Sequence, residues 1–250
     1  MKGKRAIVMG ASSGIGMEVS KLLLADGWTI GIAARRTDLL LQLKEKSPDR
    51  VEVETIDVNS DEAEDLLLSL IAMVGSMDLF FYAPGIGKQN PTLEADIETS
   101  TVKTNALGFT RMVGAAYRYM ANNGGGHIAV ITSIAGTKGL GPAPSYSATK
   151  AFQNTYLQAL EQQANNRKLH IRFTDIRPGF VDTALLNDGK NYPLLLNKED
   201  VAREIMDAIR KGNHVRVIDW RYRIITALWR CIPRIIWRHL PLRVKDKKNT

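Results

Sequence analysis

Short apolar runs alternate with helix-period stretches along most of the chain, and this alternation limits the architectures open to it. Strand patterns are predicted at residues 4–9, 29–33, 51–56, 78–82, 126–132, 169–176 and 215–218. Helical patterns fall between them at 14–26, 38–46, 61–73, 92–104, 106–120, 145–164 and 198–211. Strands joined through helices pair in parallel, because a parallel pair needs a long crossover rather than a tight turn. The expected fold is therefore α/β, with a mostly parallel, doubly wound sheet and helices on both faces. Ligands of such sheets sit beyond the carboxyl ends of the strands, where strand order reverses. A chain of 250 residues suits one such domain. Residues 1–212 form the body, and 213–250 add a last strand and a C-terminal extension. Segments 85–91, 122–126 and 183–197 read as loops; the last is long and mixed, as a mobile substrate cover would be.

A glycine turn follows the first strand pattern and opens the first helix pattern: Gly10-Ala11-Ser12-Ser13-Gly14-Ile15-Gly16. Glycine is needed where the chain turns sharply and where backbone must approach pyrophosphate or a neighbouring strand. The N–H groups and dipole of the helix start then favour an anion, so the turn is a dinucleotide site in this strand-before, helix-after context. The second strand pattern ends at Ala33-Ala34-Arg35-Arg36. A carboxylate here would bind the ribose 2′-hydroxyl of NAD and repel the phosphate of NADP. Ala34 stands in that place, and an arginine fork from Arg35 or Arg36 suits a 2′-phosphate, which favours NADP over NAD. Asp57, after the third strand pattern, either hydrogen-bonds an adenine amino group or caps a turn.

A second constellation lies downstream. Tyr146-Ser147-Ala148-Thr149-Lys150 sets Tyr146 and Lys150 at i and i+4 on one helix face. A phenol has a reference pKa of about 10, too high for proton exchange at neutral pH. A nearby ammonium and an oxidised nicotinamide both favour the phenolate. Moving the value by about 3 units takes about 4 kcal/mol, a reasonable demand on a close, partly desolvated pair. Ser133, at the end of its strand pattern, is placed to polarise a substrate carbonyl. Asn105, at the junction of two helical patterns, is placed to break the helix and hold a water against Lys150.

Together these residues resemble the short-chain dehydrogenase/reductase family over about residues 1–212. The matching elements are the Gly10–Gly16 turn, Asp57-Val58, Asn105, Ile131-Thr132-Ser133, Tyr146 through Lys150, and Pro178-Gly179-Phe180-Val181-Asp182-Thr183. The resemblance implies a Rossmann-type fold and hydride transfer between NADP(H) and a carbonyl or alcohol. It implies Tyr146 as general acid/base, Ser133 as the donor on the oxyanion side, and Lys150 on the nicotinamide ribose. Asn105 would support a water-linked proton relay, Thr183 would meet the nicotinamide carboxamide, and Ile15 would line the cofactor cleft. A homo-oligomer is the default by analogy. Where the family usually has Asn-Asn-Ala-Gly, this chain has Tyr82-Ala83-Pro84-Gly85: Gly85 is kept, but Pro84 lacks an N–H and Tyr82 is bulky. Ser13 stands where many NADP-preferring members carry a second basic residue.

Charge separates the extension from the body. From His214 onward there are ten Arg or Lys residues against Asp219 and Asp246, a formal +8 that equals the net charge of the whole chain. The remainder is near neutral, so a general nucleic-acid surface is not indicated, and the tail would give at most nonspecific retention. Arg230, Arg234 and Arg238 make a basic stripe beside Ile224, Leu228, Ile232, Ile235 and Ile236, with Trp229 and Trp237 alongside and Pro233 as a break. Peripheral contact with an anionic membrane, a subunit contact and a cover for the pocket are the three readings. The single Cys231, the short apolar stretch behind the basic start and the lack of a run of about 18 apolar residues point to a cytoplasmic chain. A dinucleotide-binding sensor or scaffold without turnover, and a membrane-docked reductase of a lipid or lipid-linked sugar, are the competing functions.

Overall fold

The computed structural model describes residues 3–187 and 189–242, together with the backbone of 245–246. Arg243, Lys247, Lys248 and the side chain of Lys245, all in the expected basic tail, lie outside the described residues. The sheet strands are β1 (Arg5–Met9), β2 (Thr29–Ala34), β3 (Val51–Thr55), β4 (Leu79–Tyr82), β5 (Gly126–Ile131), β6 (Ile171–Arg177) and β8 (Val215–Val217). They lie in the order β3-β2-β1-β4-β5-β6-β8, each pair parallel. A short antiparallel pair, β7 (Lys190–Asn191) with β9 (Lys245–Asp246), stands apart. The apolar runs of β1, β4 and β5 are buried at nearly every position, as a parallel sheet covered on both faces requires.

One face carries α1 (Gly14–Ala25), α2 (Thr37–Glu45) and α7 (Lys198–Lys211). The other carries α3 (Ala63–Val74), α5 (Phe109–Asn122) and α6 (Pro144–Asn166), with α4 (Ala95–Val102) against α6. Local chemistry sets the ends of α7. Asn197 Oδ1 accepts from the N–H groups of Glu199 and Asp200, and Gly212 closes the helix at φ 63°. From β1 the chain runs outward to β3, returns to β4 beside β1, and continues to β8. That reversal opens a crevice between β1 and β4 at the carboxyl ends. The expected Rossmann-type α/β architecture is the observed one.

Two expectations change. Residues 92–94 stay outside α4, and a π-helical turn over Lys103–Gly108 joins α4 to α5. The wider turn presents the Asn105 carbonyl to the side chain of Gln153, 2.8 Å away. In the extension, Pro233 separates α8 (Trp220–Cys231) from α9 (Arg234–Trp237), as its ring requires. Trp229 and Trp237 turn inward onto each other, ring centroids 5.4 Å apart, and Trp220 becomes the exposed tryptophan. No helix among the described residues is long and apolar enough to cross a membrane.

Tyr82, the bulky residue where the family usually has asparagine, does not narrow the crevice. Its side chain points to the opposite face of the sheet and packs edge-on against Phe109, ring centroids 5.5 Å apart. Burial pushes its phenol far above the ordinary value, and its hydroxyl has no hydrogen-bond partner among the described residues. An unsatisfied buried hydroxyl destabilises the fold. Tyr82→Phe is therefore expected to raise unfolding stability by about 1 kcal/mol in a urea titration; a loss of stability would show that the hydroxyl is paired.

Candidate active site

A cleft of about 1000 Å³ opens along the carboxyl ends of the strands. Every candidate residue from the sequence lines it except Asn105, which lies fully buried behind it. At one end the glycine turn brings the start of α1 to the cleft. Gly10 takes φ 78°, a conformation that resists a side chain, and a Cβ on Gly16 would lie 2.3 Å from the Gly10 carbonyl oxygen. Ser13 makes no side-chain capping bond, so the first N–H groups of α1 stay open to an anion. Thr183 packs beside Gly14 at the same helix start.

The basic pair sits at the rim. Arg36, more than Arg35, closes over the turn: its Nη2 donates to Ser12 Oγ at 3.1 Å and to Ser13 Oγ at 2.7 Å. Arg35 lines the cleft beside it. Two hydroxyls and two guanidinium groups thus share one corner, with Ala34 contributing no opposing charge. Asp57 Oδ1 accepts from the Asn59 N–H at 3.0 Å, so its carboxylate caps the turn after β3 while still lining the cleft. Val58, Gly85, Pro178, Gly179 and Val181 complete the walls.

Ser133, Tyr146 and Lys150 meet at the other end. Ser133 follows β5, and its Oγ accepts from the Ala135 N–H at 3.0 Å, which leaves the hydroxyl hydrogen to donate toward the Tyr146 phenol. Tyr146 and Lys150 lie one turn apart on α6, with Nζ 5.8 Å from the phenol ring centroid. Lys150 Nζ donates to the Ile131 carbonyl at 3.1 Å and to Gln153 Oε1 at 2.9 Å, so one of its three N–H groups remains. Asn105 clamps the loop after β4: Oδ1 accepts from the Ile86 N–H, and Nδ2 donates to the Ile86 carbonyl. The link from Asn105 to Lys150 in this structure is the side chain of Gln153, which donates to one and accepts from the other.

Burial dominates the electrostatics. It pushes the Tyr146 phenol above its ordinary value, and the hydrogen bond from Ser133 pulls in the opposite direction. Burial also pulls Lys150 down to about 7, opposed by the negative charge of Asp175. Burial thus opposes the phenolate and the Ser133 hydrogen bond favours it, and positive charge brought close to the phenol would favour it further.

Residues 4–191 match the short chain dehydrogenase family. This chain belongs to that family. It is accordingly an oxidoreductase with a dinucleotide-binding fold. An uncharacterized oxidoreductase of Staphylococcus aureus is 31% identical over 223 residues, which span 86% of this chain and 94% of that one. The structure of a short-chain dehydrogenase from Streptomyces avermitilis superposes with a TM-score of 0.80 at 22% identity, covering 91% of this chain and 93% of the other. An alcohol dehydrogenase from Thermococcus sibiricus, complexed with 5-hydroxy-NADP, gives 0.75 at 21% identity over 87% and 96%.

Two site residues of this family member escaped the sequence reading. Gln153 is fully buried and lies three residues after Lys150, so it faces inward on the same helix. An amide within an amphipathic helix was the available signal. Asp175 is the one carboxylate of β6 and is buried there, ion-paired to Arg177 and bonded by Thr132, and its charge reaches Lys150. A carboxylate in an interior strand was the signal there.

The lysine value has a measurable consequence. Folded Lys150 titrates near 7 against about 10.4 for an unfolded lysine. Between these values the unfolded chain holds the extra proton, so stability rises with pH across that window, and below it the cost of burying the charge is fully present. Lys150→Met removes this dependence. Wild type should gain stability relative to Lys150→Met as pH is raised from about 7 to about 10 in urea titrations; parallel curves would show that the ammonium is not destabilised by burial.

Proposed function

We propose that this chain transfers hydride between NADP(H) and a carbonyl or alcohol, with Tyr146 as general acid/base. One observation carries the reading: Ser133, Tyr146 and Lys150 converge at the end of a cleft whose far end is an open helix start. The residues fit a dinucleotide phosphate, since a side chain on Gly16 would collide with backbone and no capping group competes for the first N–H groups of α1. Arg36 with Ser12 and Ser13, and Arg35 beside them, would hold a 2′-phosphate, and Ala34 leaves no carboxylate to repel it. Asp57 and Val58 would border the adenine, while Gly85, Pro178, Gly179 and Val181 wall the dinucleotide. Ile15 and Thr183 would border the nicotinamide, and the spare N–H of Lys150 would reach its ribose.

The reduced nicotinamide, when bound, supplies the hydride. Ser133 donates a hydrogen bond to the substrate oxygen and favours negative charge on it. Tyr146 gives its phenolic proton to that oxygen, or takes it back in oxidation. Lys150 stabilises the resulting phenolate, which burial alone would disfavour. Gln153 and the Ile131 carbonyl hold the ammonium in place. NADP use favours the reductive direction.

A dinucleotide sensor without turnover would have no need of a lysine buried at a cost to stability beside a buried phenol. Val102 and Leu107 lie exposed on α4 and the π turn, and Phe152 lies exposed on the adjoining α6, apolar surface that supports a homo-oligomer. The free thiol of Cys231 accords with a reducing cytoplasm.

The test uses NADPH consumption on a panel of ketones and aldehydes. Tyr146→Phe and Ser133→Ala should each reduce turnover by about 100-fold or more, with NADPH affinity kept within about threefold. Full turnover by Tyr146→Phe would refute the mechanism. Arg36→Ala should weaken NADPH by about tenfold or more and leave NADH little changed; equal losses for both would remove the 2′-phosphate assignment.

A further inference from the structure

The C-terminal helices have two faces with different surroundings. Asp219, at φ 70°, turns the chain from β8 so that α8 lies across the cleft. The inner face is fastened there. The Tyr222 hydroxyl donates to the Pro193 and Leu194 carbonyls, both at 3.0 Å, and accepts from the Phe180 N–H at 3.3 Å. Trp237 Nε1 donates to the Gly139 carbonyl at 2.7 Å, and Lys138 Nζ donates to the Ile232 carbonyl at 2.9 Å. Ile225 and Trp229 line the cleft from this side, which Leu140, Leu185 and Leu194 also line. The extension is therefore a fixed wall of the pocket near Ser133.

The outer face is apolar and basic. Trp220, Ile224 and Leu228 recur every fourth residue along α8 and are 62%, 52% and 62% exposed. Ile235 and Ile236 continue the patch on α9. Arg223, Arg230, Arg234 and Arg238 are exposed around it, and no carboxylate among the described residues forms an ion pair with any of them, although the charge of Arg223 is felt at Asp219. The neighbouring Arg216 and Arg221 do pair, with Glu204 and Asp219. Apolar groups grouped in this way, ringed by unneutralised cations, call for a partner that is both apolar and anionic. A second copy of the same face fits poorly, since a two-fold contact would set arginines against arginines.

We propose that the outer face of α8 and α9 seats on an anionic lipid bilayer, and that the cleft behind it takes a lipid carbonyl or alcohol. The docking stands on the surface alone, whereas the substrate class also rests on the oxidoreductase reading above. The apolar groups sink toward the acyl boundary, Trp220 lies at the interface, and the arginines meet the phosphates. A lipid would reach Tyr146 with its chain along Ile225 and Trp229, on the wall that faces the bilayer.

The full chain should float with phosphatidylcholine vesicles containing phosphatidylglycerol, not with phosphatidylcholine alone, and should release at about 1 M salt, where screening reaches about 3 Å. The double variant Ile224→Ser/Leu228→Ser and, separately, Arg230→Gln/Arg234→Gln should each bind about tenfold more weakly or worse, with NADPH affinity unchanged. Absence of the wild-type chain from anionic vesicles at low salt overturns the docking. So does a change in oligomeric state, without a change in flotation, in either variant. For the substrate class, dodecanal carried in the vesicles should be reduced by NADPH and butanal should not. Equal or preferred use of butanal overturns the lipid class, as does consumption of neither by a chain that binds NADPH. A chain that does not bind NADPH fails the reading on which that class rests.

Discussion

A single ammonium group organises the functional end of the molecule. Lys150 Nζ ties β5, through the Ile131 carbonyl, to α6, through Gln153, and Gln153 extends the tie to the π turn at Asn105. Asn105 in turn clamps Ile86 in the loop after β4. The end of β5, helix α6, the π turn and the cleft loop are thus one hydrogen-bonded unit. Its members are buried, so each polar group depends on the others for satisfaction. Burial pulls the lysine toward neutrality, and the Asp175 charge resists that pull. A cation held in an unfavourable place is available to stabilise a new anion, which is what a phenolate at Tyr146 would be.

The sheet supplies the frame on which this unit and the dinucleotide end face each other. Strand order reverses between β1 and β4, so the helix that follows β1 and the loop that follows β4 diverge and leave a crevice. Gly16 allows the start of α1 to lie against Gly10, closer than any side chain would permit. Arg36 then has Ser12 and Ser13 within reach. Tyr82 and Pro84, the departures from the usual family sequence, fit the frame for separate reasons: Tyr82 is the last residue of β4 and its side chain lies on the far face, whereas Pro84 comes after the strand has ended. Tyr82 packs into the far core, and Pro84 lies against Gly10 at the cleft wall.

The extension adds something the family frame does not need. Its inner face carries hydrogen bonds and aromatic packing that make it part of the pocket, and its outer face keeps charge and apolar surface unneutralised. Pocket wall and exposed basic, apolar surface therefore lie on opposite sides of the same short helix, so residues spaced three or four apart share one face and those between them share the other.

The strands of the seven-stranded sheet, their parallel pairing, the glycine turn and the Tyr146–Lys150 pair were legible in the amino-acid sequence, whereas the short β7–β9 pair was not. Each legible feature rests on local period or on spacing within one element, and these survive any packing of the rest. The Pro233 break was legible for the same reason. Which arginine closes over the glycine turn, which tryptophan faces outward, and what links Asn105 to Lys150 were decided by tertiary structure. Arg35 and Arg36 differ only in where the chain bends after β2, and Trp220, Trp229 and Trp237 only in how α8 and α9 settle onto the cleft. Gln153 and Asp175 have no motif, because their roles come from neighbours dozens of residues away that only the folded chain brings within hydrogen-bonding or charge range. Sequence determines what each element is, whereas long-range contact determines which of its faces meets the chemistry.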